Sequence, residues 1–110
     1  MTRACPGDVA VLTPRVEYLD AGNIAALKRD LATLVKPNAR VVLDLCGVQY
    51  VDSSGWGALL FYQRRFNTVG GDLKLCALTP PVRTLFELLQ MQKLFEAFNT
   101  ADEAVRACRE

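Results

Sequence analysis

The spacing of apolar residues along the first third of the chain predicts a strand followed by a helix. Residues 9–13 (VAVLT) form a short β-rich run, and a second short extended piece is expected over residues 15–18. Across residues 21–35, apolar side chains recur every three to four positions, which is the spacing of one helical face. We expect Asp20 to cap this helix and Lys36-Pro37 to end it.

The middle of the chain predicts a buried strand, a helix and another strand. Residues 40–45 (RVVLDL) are almost continuously apolar, as in a strand covered on both faces. Residues 54–69 are then expected to form a helix, and Gly70-Gly71 to end it by permitting a positive φ angle. Residues 72–77 (DLKLCA) predict the next strand.

The last third continues the alternation. A third helix is expected to open at Thr79-Pro80-Pro81, with Thr79 as its cap, proline in its first turn and an apolar stripe that runs to Leu89. Residues 95–98 predict an edge strand, and residues 100–108 a terminal helix capped by Thr100.

Strands that alternate with helices at this spacing predict an α/β fold with right-handed parallel crossovers. We expect a single mixed β-sheet of about four to five strands with about four helices packed on it. The length of 110 residues predicts one domain, residues 1–110, with an ordered core over roughly 8–108.

Composition excludes several classes of function. The chain has no histidine, so a Ser-His-Asp site, a Cys-His site or a histidine zinc helix cannot form within it. The formal net charge of +1 gives no overall electrostatic attraction to nucleic acid or to an anionic membrane. We therefore expect no metal, no cofactor, no direct nucleic-acid binding and no membrane association.

The four cysteines and the hydropathy pattern indicate a cytoplasmic protein. Cys5, Cys46, Cys76 and Cys108 are widely spaced, without a Cys-x-x-Cys pair. Cys46 and Cys76 each follow an apolar run, so we expect reduced cysteines that are buried as small apolar side chains. No apolar run approaches the roughly 20 residues of a membrane span, and the N-terminus lacks the apolar core of a signal peptide.

The most informative segment is the predicted strand-to-helix junction around Asp52-Ser53-Ser54. Any one of these side chains could cap the helix, and one cap needs only one of them. Gly55 and Gly57 weaken the first turn by about 1 kcal/mol each and leave the hydroxyls uncovered. Spacing alone favours neither of two interpretations. The segment is either a well-capped helix with tight glycine packing or a functional site. The segment matches neither a phosphate-binding P-loop nor a nucleophile elbow.

Several segments, in order along the chain, resemble the STAS domain of anti-sigma factor antagonists. Residues 51–60 (VDSSGWGALL) closely resemble the family signature, an apolar residue followed by Asp-Ser-Ser/Thr-Gly and then an apolar-Gly pair. The other matching segments are residues 18–23 (YLDAGN), 41–45 (VVLDL), 70–75 (GGDLKL) and 81–86 (PVRTLF). The STAS fold agrees with the order of strands and helices predicted above.

The resemblance implies a bacterial, cytoplasmic partner switch rather than an enzyme. In such switches, the unphosphorylated protein binds an anti-sigma factor that is also a serine kinase and so releases the sigma factor. The kinase phosphorylates the first serine after the aspartate, here Ser53, and a metal-dependent Ser/Thr phosphatase removes the phosphate. Ser54 and Asp52 flank the acceptor, and Asp20 and Asn23 are expected on the same face. The free protein is expected to be a monomer.

Two features depart from the family pattern, and two other functions stay open. Trp56 stands where the family usually has a smaller aliphatic residue, and it is either a core filler or an exposed aromatic anchor. Gly55 and Trp56 are both expected to belong to the partner-binding surface. The segment before Asp20 is longer than usual. One alternative function is a STAS subunit or scaffold of a lipid-transport or stress-signalling complex without sigma control. The weaker one is a small phosphotransfer or hydrolytic enzyme that uses Asp52 and Ser53.

Overall fold

The computed structural model describes residues 2–5 and 9–109, with side chains from residue 9 onward. The strands are β1 (Thr2–Cys5), β2 (Val9–Leu12), β3 (Tyr18–Leu19), β4 (Arg40–Asp44), β5 (Tyr50–Val51), β6 (Asp72–Cys76) and β7 (Ala97–Phe98). The helices are α1 (Ile24–Leu34), α2 (Ser53–Thr68), α3 (Pro80–Leu88) and α4 (Ala101–Cys108), and a 3-10 turn covers Met91–Lys93.

The described strands form one larger sheet and one small one. The larger sheet has five strands in the order β1-β2-β4-β6-β7 within these ranges. Strand β1 is antiparallel to β2, whereas the pairs β2–β4, β4–β6 and β6–β7 are all parallel. The prediction of a mixed α/β sheet with parallel crossovers is confirmed. Strands β3 and β5 pair in parallel as a separate two-stranded sheet, which the sequence did not predict.

Both faces of the larger sheet are covered, because successive side chains of its strands point in opposite directions. Val41 and Leu43 of β4 pack in a core with α1, α2 and α3, and Val42 packs in a second core with α4. All three side chains are at most 1% exposed. The double coverage explains the continuous apolar run of β4, as predicted.

The helix ends differ in detail from the predictions. Helix α1 begins at Ile24 with Asn23 as its N-cap residue, not Asp20, because a turn intervenes between Asp20 and the helix. Thr79 is the N-cap residue of α3, but its hydroxyl donates to the Val48 carbonyl at 2.6 Å instead of capping. Thr100 does cap α4, in a reciprocal capping box with Glu103.

Cysteine burial corrects one prediction and agrees with another. Cys76 is buried, but Cys46 is exposed because it follows the end of β4, in the loop that leads away from the sheet. A hydrogen bond with Asp44 raises the pKa of the Cys46 thiol, helped by partial burial, so this thiol stays protonated at neutral pH. Within residues 9–109, Cys46, Cys76 and Cys108 form no disulfide, and the side chain of Cys5 lies outside the described part of the structure.

A pair of glycines links the end of α2 to the start of β6. Gly70 has a φ angle of +80°, which is the left-handed conformation expected at the end of a helix. The Gly71 N–H donates to the carbonyl oxygen of Phe66 at 2.8 Å. A Cβ atom at Gly71 would overlap the backbone of Ala39, so β6 can start beside β4 only if this residue is glycine.

We expect Gly71→Ala to lower the free energy of unfolding by about 2–3 kcal/mol, the cost of forcing an extra methyl group into packed backbone. Gly47→Ala is the matched control, since a Cβ atom there meets nothing within 4 Å. Urea denaturation of both variants would measure the difference. Equal stability of the two variants would contradict the close approach at Ala39.

Candidate functional site

The small β3–β5 sheet brings two loops together at one edge of the molecule. Tyr18 pairs with Tyr50, and Leu19 with Val51, in parallel register. Because parallel strands end on the same side, the segments that follow them, residues 20–23 and 52–54, begin side by side. The Asp52 N–H donates to the Leu19 carbonyl at 3.0 Å and extends the pairing by one residue.

Residues 20–23 form a turn that is held by its own side chains. One carboxylate oxygen of Asp20 accepts from the Gly22 N–H at 2.9 Å. The Asn23 side chain accepts from the Asp20 N–H at 3.0 Å and donates to the Tyr18 carbonyl at 2.7 Å. The sequence placed Asp20 and Asn23 beside the signature segment, and the structure shows that their side chains mainly fix the backbone of this turn.

Asp52 connects this turn to helix α2. One of its carboxylate oxygens caps the helix by accepting from the Gly55 N–H at 2.9 Å. Its other oxygen accepts from the Ala21 N–H at 3.4 Å, a longer bond to the neighbouring turn. Asp52 is therefore the cap among the three candidates at this junction, and both of its oxygens are engaged by backbone amides.

Ser53 and Ser54 occupy the first turn of α2, and both are exposed. Within residues 9–109, neither hydroxyl makes a hydrogen bond to another described group. The amides of a first helical turn and the helix dipole favour an anion at this position. The site thus presents two hydroxyls at a helix start that favours an anion. Both carboxylate oxygens of Asp52 are engaged by backbone amides.

Gly55 lets α2 pack closely on the small sheet. A Cβ atom there would lie 2.5 Å from a methyl group of Val51 and 3.1 Å from the carbonyl oxygen of Leu19. Gly55 is buried, so it supports the junction from below and contributes no side chain to the surface. Its role is the tight packing that the sequence left as one of two interpretations.

Trp56 lies in the core, so the core-filler interpretation is the one that the structure shows. Its side chain is 4% exposed, and its ring centroid is 6.3 Å from that of Phe86 on α3. The indole N–H has no hydrogen-bond partner among the described residues, and packing alone accounts for the position of this side chain. The expectation that Trp56 forms part of the partner surface does not fit this burial.

Three exposed aromatic residues near the junction were missed by the sequence analysis. Tyr18 and Tyr50 are 55% and 45% exposed and lie directly opposite each other on the small sheet. Phe61, 57% exposed, lies two turns along α2 from Ser54. The exposure of Phe61 could have been predicted, because its position on the helix lies outside the stripe of buried residues. The pairing of Tyr18 with Tyr50 could not, because it depends on strands that the sequence did not reveal.

A groove between α1 and α2 starts at Ser54 and leads towards Phe61. Its lining residues are Ala21, Ile24, Lys28, Ser54, Gly57, Ala58, Phe61 and Tyr62. A Cβ atom at Gly57 would meet nothing within 4 Å, so packing within the described chain does not require glycine there. The groove is therefore open beside the Ser54 hydroxyl, and no side chain fills it at Gly57.

The comparison with protein families identifies the chain. Residues 3–104 match the model of the STAS domain. The chain therefore belongs to the STAS domain family, and the predicted family and fold are confirmed. Among the described residues, no helix is long and apolar enough to cross a membrane.

Two relatives of this chain are both named as anti-sigma factor antagonists. BtrV of Bordetella bronchiseptica, provisionally named an anti-sigma factor antagonist, is 34% identical over 90 residues, which cover 81% of this chain and 78% of BtrV. The anti-sigma F factor antagonist of Paenibacillus polymyxa is 32% identical over 88 residues, which cover 80% of this chain and 73% of the relative.

The fold is also that of SpoIIAA, an anti-sigma factor antagonist whose structure is known in two states. The unphosphorylated form superposes with a TM-score of 0.81 at 21% identity, over 99% of this chain and 95% of SpoIIAA. The phosphorylated form, from Bacillus, gives a TM-score of 0.73 at 19% identity, over 97% and 96% of the two chains. At this level of identity the likeness shows the shared fold.

The two glycines of the signature segment should respond to alanine in opposite ways. Gly55→Ala should lower the free energy of unfolding by roughly 1–3 kcal/mol, because the methyl group meets Val51 and the Leu19 carbonyl. Gly57→Ala should raise it by about 0.5–1 kcal/mol, because alanine is the better helix former and the space is free. Thermal and urea denaturation would test both variants, and a destabilised Gly57→Ala variant would contradict the open groove.

Proposed function

We propose that this protein is an anti-sigma factor antagonist that works as a phosphorylation-controlled partner switch. In this proposal the unphosphorylated form binds an anti-sigma factor that is also a serine kinase, and phosphorylation on Ser53 releases it. The observation that carries the proposal is the exposed Ser53 hydroxyl, which has no hydrogen-bond partner among residues 9–109 and lies at the N-terminus of α2. The names of the two relatives support the same class of function.

The position of Ser53 suits a modification that changes a surface and leaves the fold intact. A phosphate adds about −1.5 to −2 charges at neutral pH and three acceptor oxygens. The helix N-terminus can accommodate this charge, and an exposed side chain leaves room for it. The formal net charge would change from +1 to roughly −1. A partner fitted to a neutral hydroxyl would then meet bulk and unpaired charge.

The proposed contact surface surrounds the two serines. It comprises Ser53, Ser54 and the turn that contains Asp20 and Asn23, with Asp52 shaping the junction. The exposed pair Tyr18 and Tyr50 borders it, and partly exposed tyrosines commonly carry binding energy at interfaces. Gly55 and Trp56 are buried and act on this surface only through packing.

The remaining parts of the proposal concern the cell. A metal-dependent Ser/Thr phosphatase would remove the phosphate and restore binding. We place these reactions in the cytoplasm of a bacterium, where ATP and sigma factors are present, and propose that the free protein is a monomer. A catalytic role is disfavoured by the hydrogen bonds of Asp52, since both of its oxygens accept from backbone amides and, within residues 9–109, neither accepts from a serine hydroxyl.

The test is phosphorylation by a serine-kinase anti-sigma factor of the source organism. Incubation with that kinase and ATP, followed by peptide mass spectrometry, should place one phosphate on Ser53. The Ser53→Ala variant should bind the kinase and accept no phosphate, Ser53→Asp should bind at least tenfold more weakly, and Ser54→Ala is the matched control that is still phosphorylated. A phosphate on another residue, or equal binding by Ser53→Ala and Ser53→Asp, would reject the switch.

The groove beside Ser54 generates a second binding prediction. If the kinase approaches α2 closely, Gly57→Ala should weaken binding about tenfold even though it makes the free protein more stable. Calorimetric titration against the unphosphorylated variant would measure this, with Gly47→Ala as a control outside the groove. Unchanged affinity in Gly57→Ala would remove the groove from the proposed contact surface.

A further inference from the structure

We propose that Asp52 is a positioning residue that holds the turn at residues 20–23 in register with Ser53, and that a phosphate on Ser53 loosens this link. The second half of this inference rests on the proposed function. The first half concerns the unmodified chain and can be tested without a partner.

The link has a strong side and a weak side. Towards α2, Asp52 accepts from the Gly55 N–H at 2.9 Å, in the geometry of a helix cap. Towards the turn, it accepts from the exposed Ala21 N–H at 3.4 Å, near the upper limit for a hydrogen bond. A perturbation of the carboxylate should therefore break the bond to Ala21 before the cap.

Among residues 9–109, the side-chain hydrogen bond that attaches the turn to the start of helix α2 is the one that Asp52 accepts from the Ala21 N–H. The other side-chain hydrogen bonds of the turn are internal or lead back to β3: Asp20 to the Gly22 N–H, and Asn23 to the Asp20 N–H and the Tyr18 carbonyl. The backbone bond from the Asp52 N–H to the Leu19 carbonyl fixes the strand just before the turn. Loss of the Ala21 bond would leave the turn folded but free to shift relative to Ser53.

A phosphate on Ser53 would act on the Asp52 carboxylate, and the longer bond to the Ala21 N–H would then be the first to break. The Gly55 N–H, one of the amides of the first helical turn, is already engaged by Asp52. A phosphate on the adjacent residue competes for the same amides and repels the carboxylate. The surface would then change in two ways. Ser53 gains charge, and the turn at residues 20–23 shifts relative to it.

Asp52→Asn separates the two roles of the carboxylate. Asparagine is as good a helix cap as aspartate, so its carbonyl oxygen can keep the bond to the Gly55 N–H. Its amide group then faces the Ala21 N–H with a second donor, and the link is lost. Asp102→Asn is the matched control, because Asp102 is an exposed carboxylate in the first turn of α4.

The measurement is amide hydrogen exchange at Ala21 and Gly22 by NMR, together with the melting temperature. In Asp52→Asn, exchange at Ala21 should rise about twofold, the factor equivalent to a hydrogen bond at the weak end of the usual range, while the melting temperature stays within a few degrees of the wild type. Asp102→Asn should leave the exchange unchanged. Unaltered exchange at Ala21 in Asp52→Asn would overturn the link.

Phosphoserine introduced at position 53 during translation tests the second half without any kinase. The modified chain should show the same increase in exchange at Ala21 as Asp52→Asn, and adding the phosphate to Asp52→Asn should cause little further increase. Unchanged exchange in the phosphorylated chain would overturn the loosening. Failure of the proposed function would appear separately, as kinase binding that is indifferent to Ser53.

Discussion

The parallel pairing of β3 with β5 is the constraint on which the site depends. Each strand contributes only two residues, and so short a pair has little stability of its own. It is held because Leu19 and Val51, one from each strand, are 1% exposed and belong to the main core. Their burial fixes the register, and the register places the turn at residues 20–23 beside the start of α2.

Gly55 and Gly57 show how the same residue type serves two purposes at positions only two residues apart in α2. Gly55 is buried against Val51 and the Leu19 carbonyl, so it allows α2 to sit on the small sheet. Gly57 is exposed and has empty space where a Cβ atom would be. The first glycine is explained by the fold, whereas the second costs helix stability without a gain in internal packing. The packing of the described chain therefore does not account for the glycine at position 57.

The larger elements could be predicted from the sequence because their signals are strong and local. The apolar run of β4, the stripe of α1 and the cap at Thr100 each depend on neighbouring residues. The small sheet could not be predicted, since two-residue strands have no periodicity and their pairing joins segments more than thirty residues apart. Strand β1 was missed as well, although it lies at the edge of the larger sheet.

Within the site, sequence reasoning found the chemistry but could not divide the roles. Asp52, Ser53 and Ser54 are all good caps by residue type, and only the contacts to Gly55 and Ala21 single out Asp52. The exposure of Cys46 and the burial of Trp56 depend on where a loop or a helix face lies in three dimensions. The resemblance to STAS domains brought Ser53 forward, a choice that spacing could not make.

The division of roles explains how one residue can be modified without loss of the fold. The cap that α2 needs comes from Asp52, so the Ser53 hydroxyl carries no structural duty among the described contacts. The core below is closed by Leu19, Val51 and Trp56, none of which reaches the serine surface. A phosphate at Ser53 therefore acts on an exposed helix start whose stability comes from elsewhere. In the proposed switch, it would change the charge of the surface and the weak contact between Asp52 and the turn at Ala21, and both changes would act on the fit of a partner.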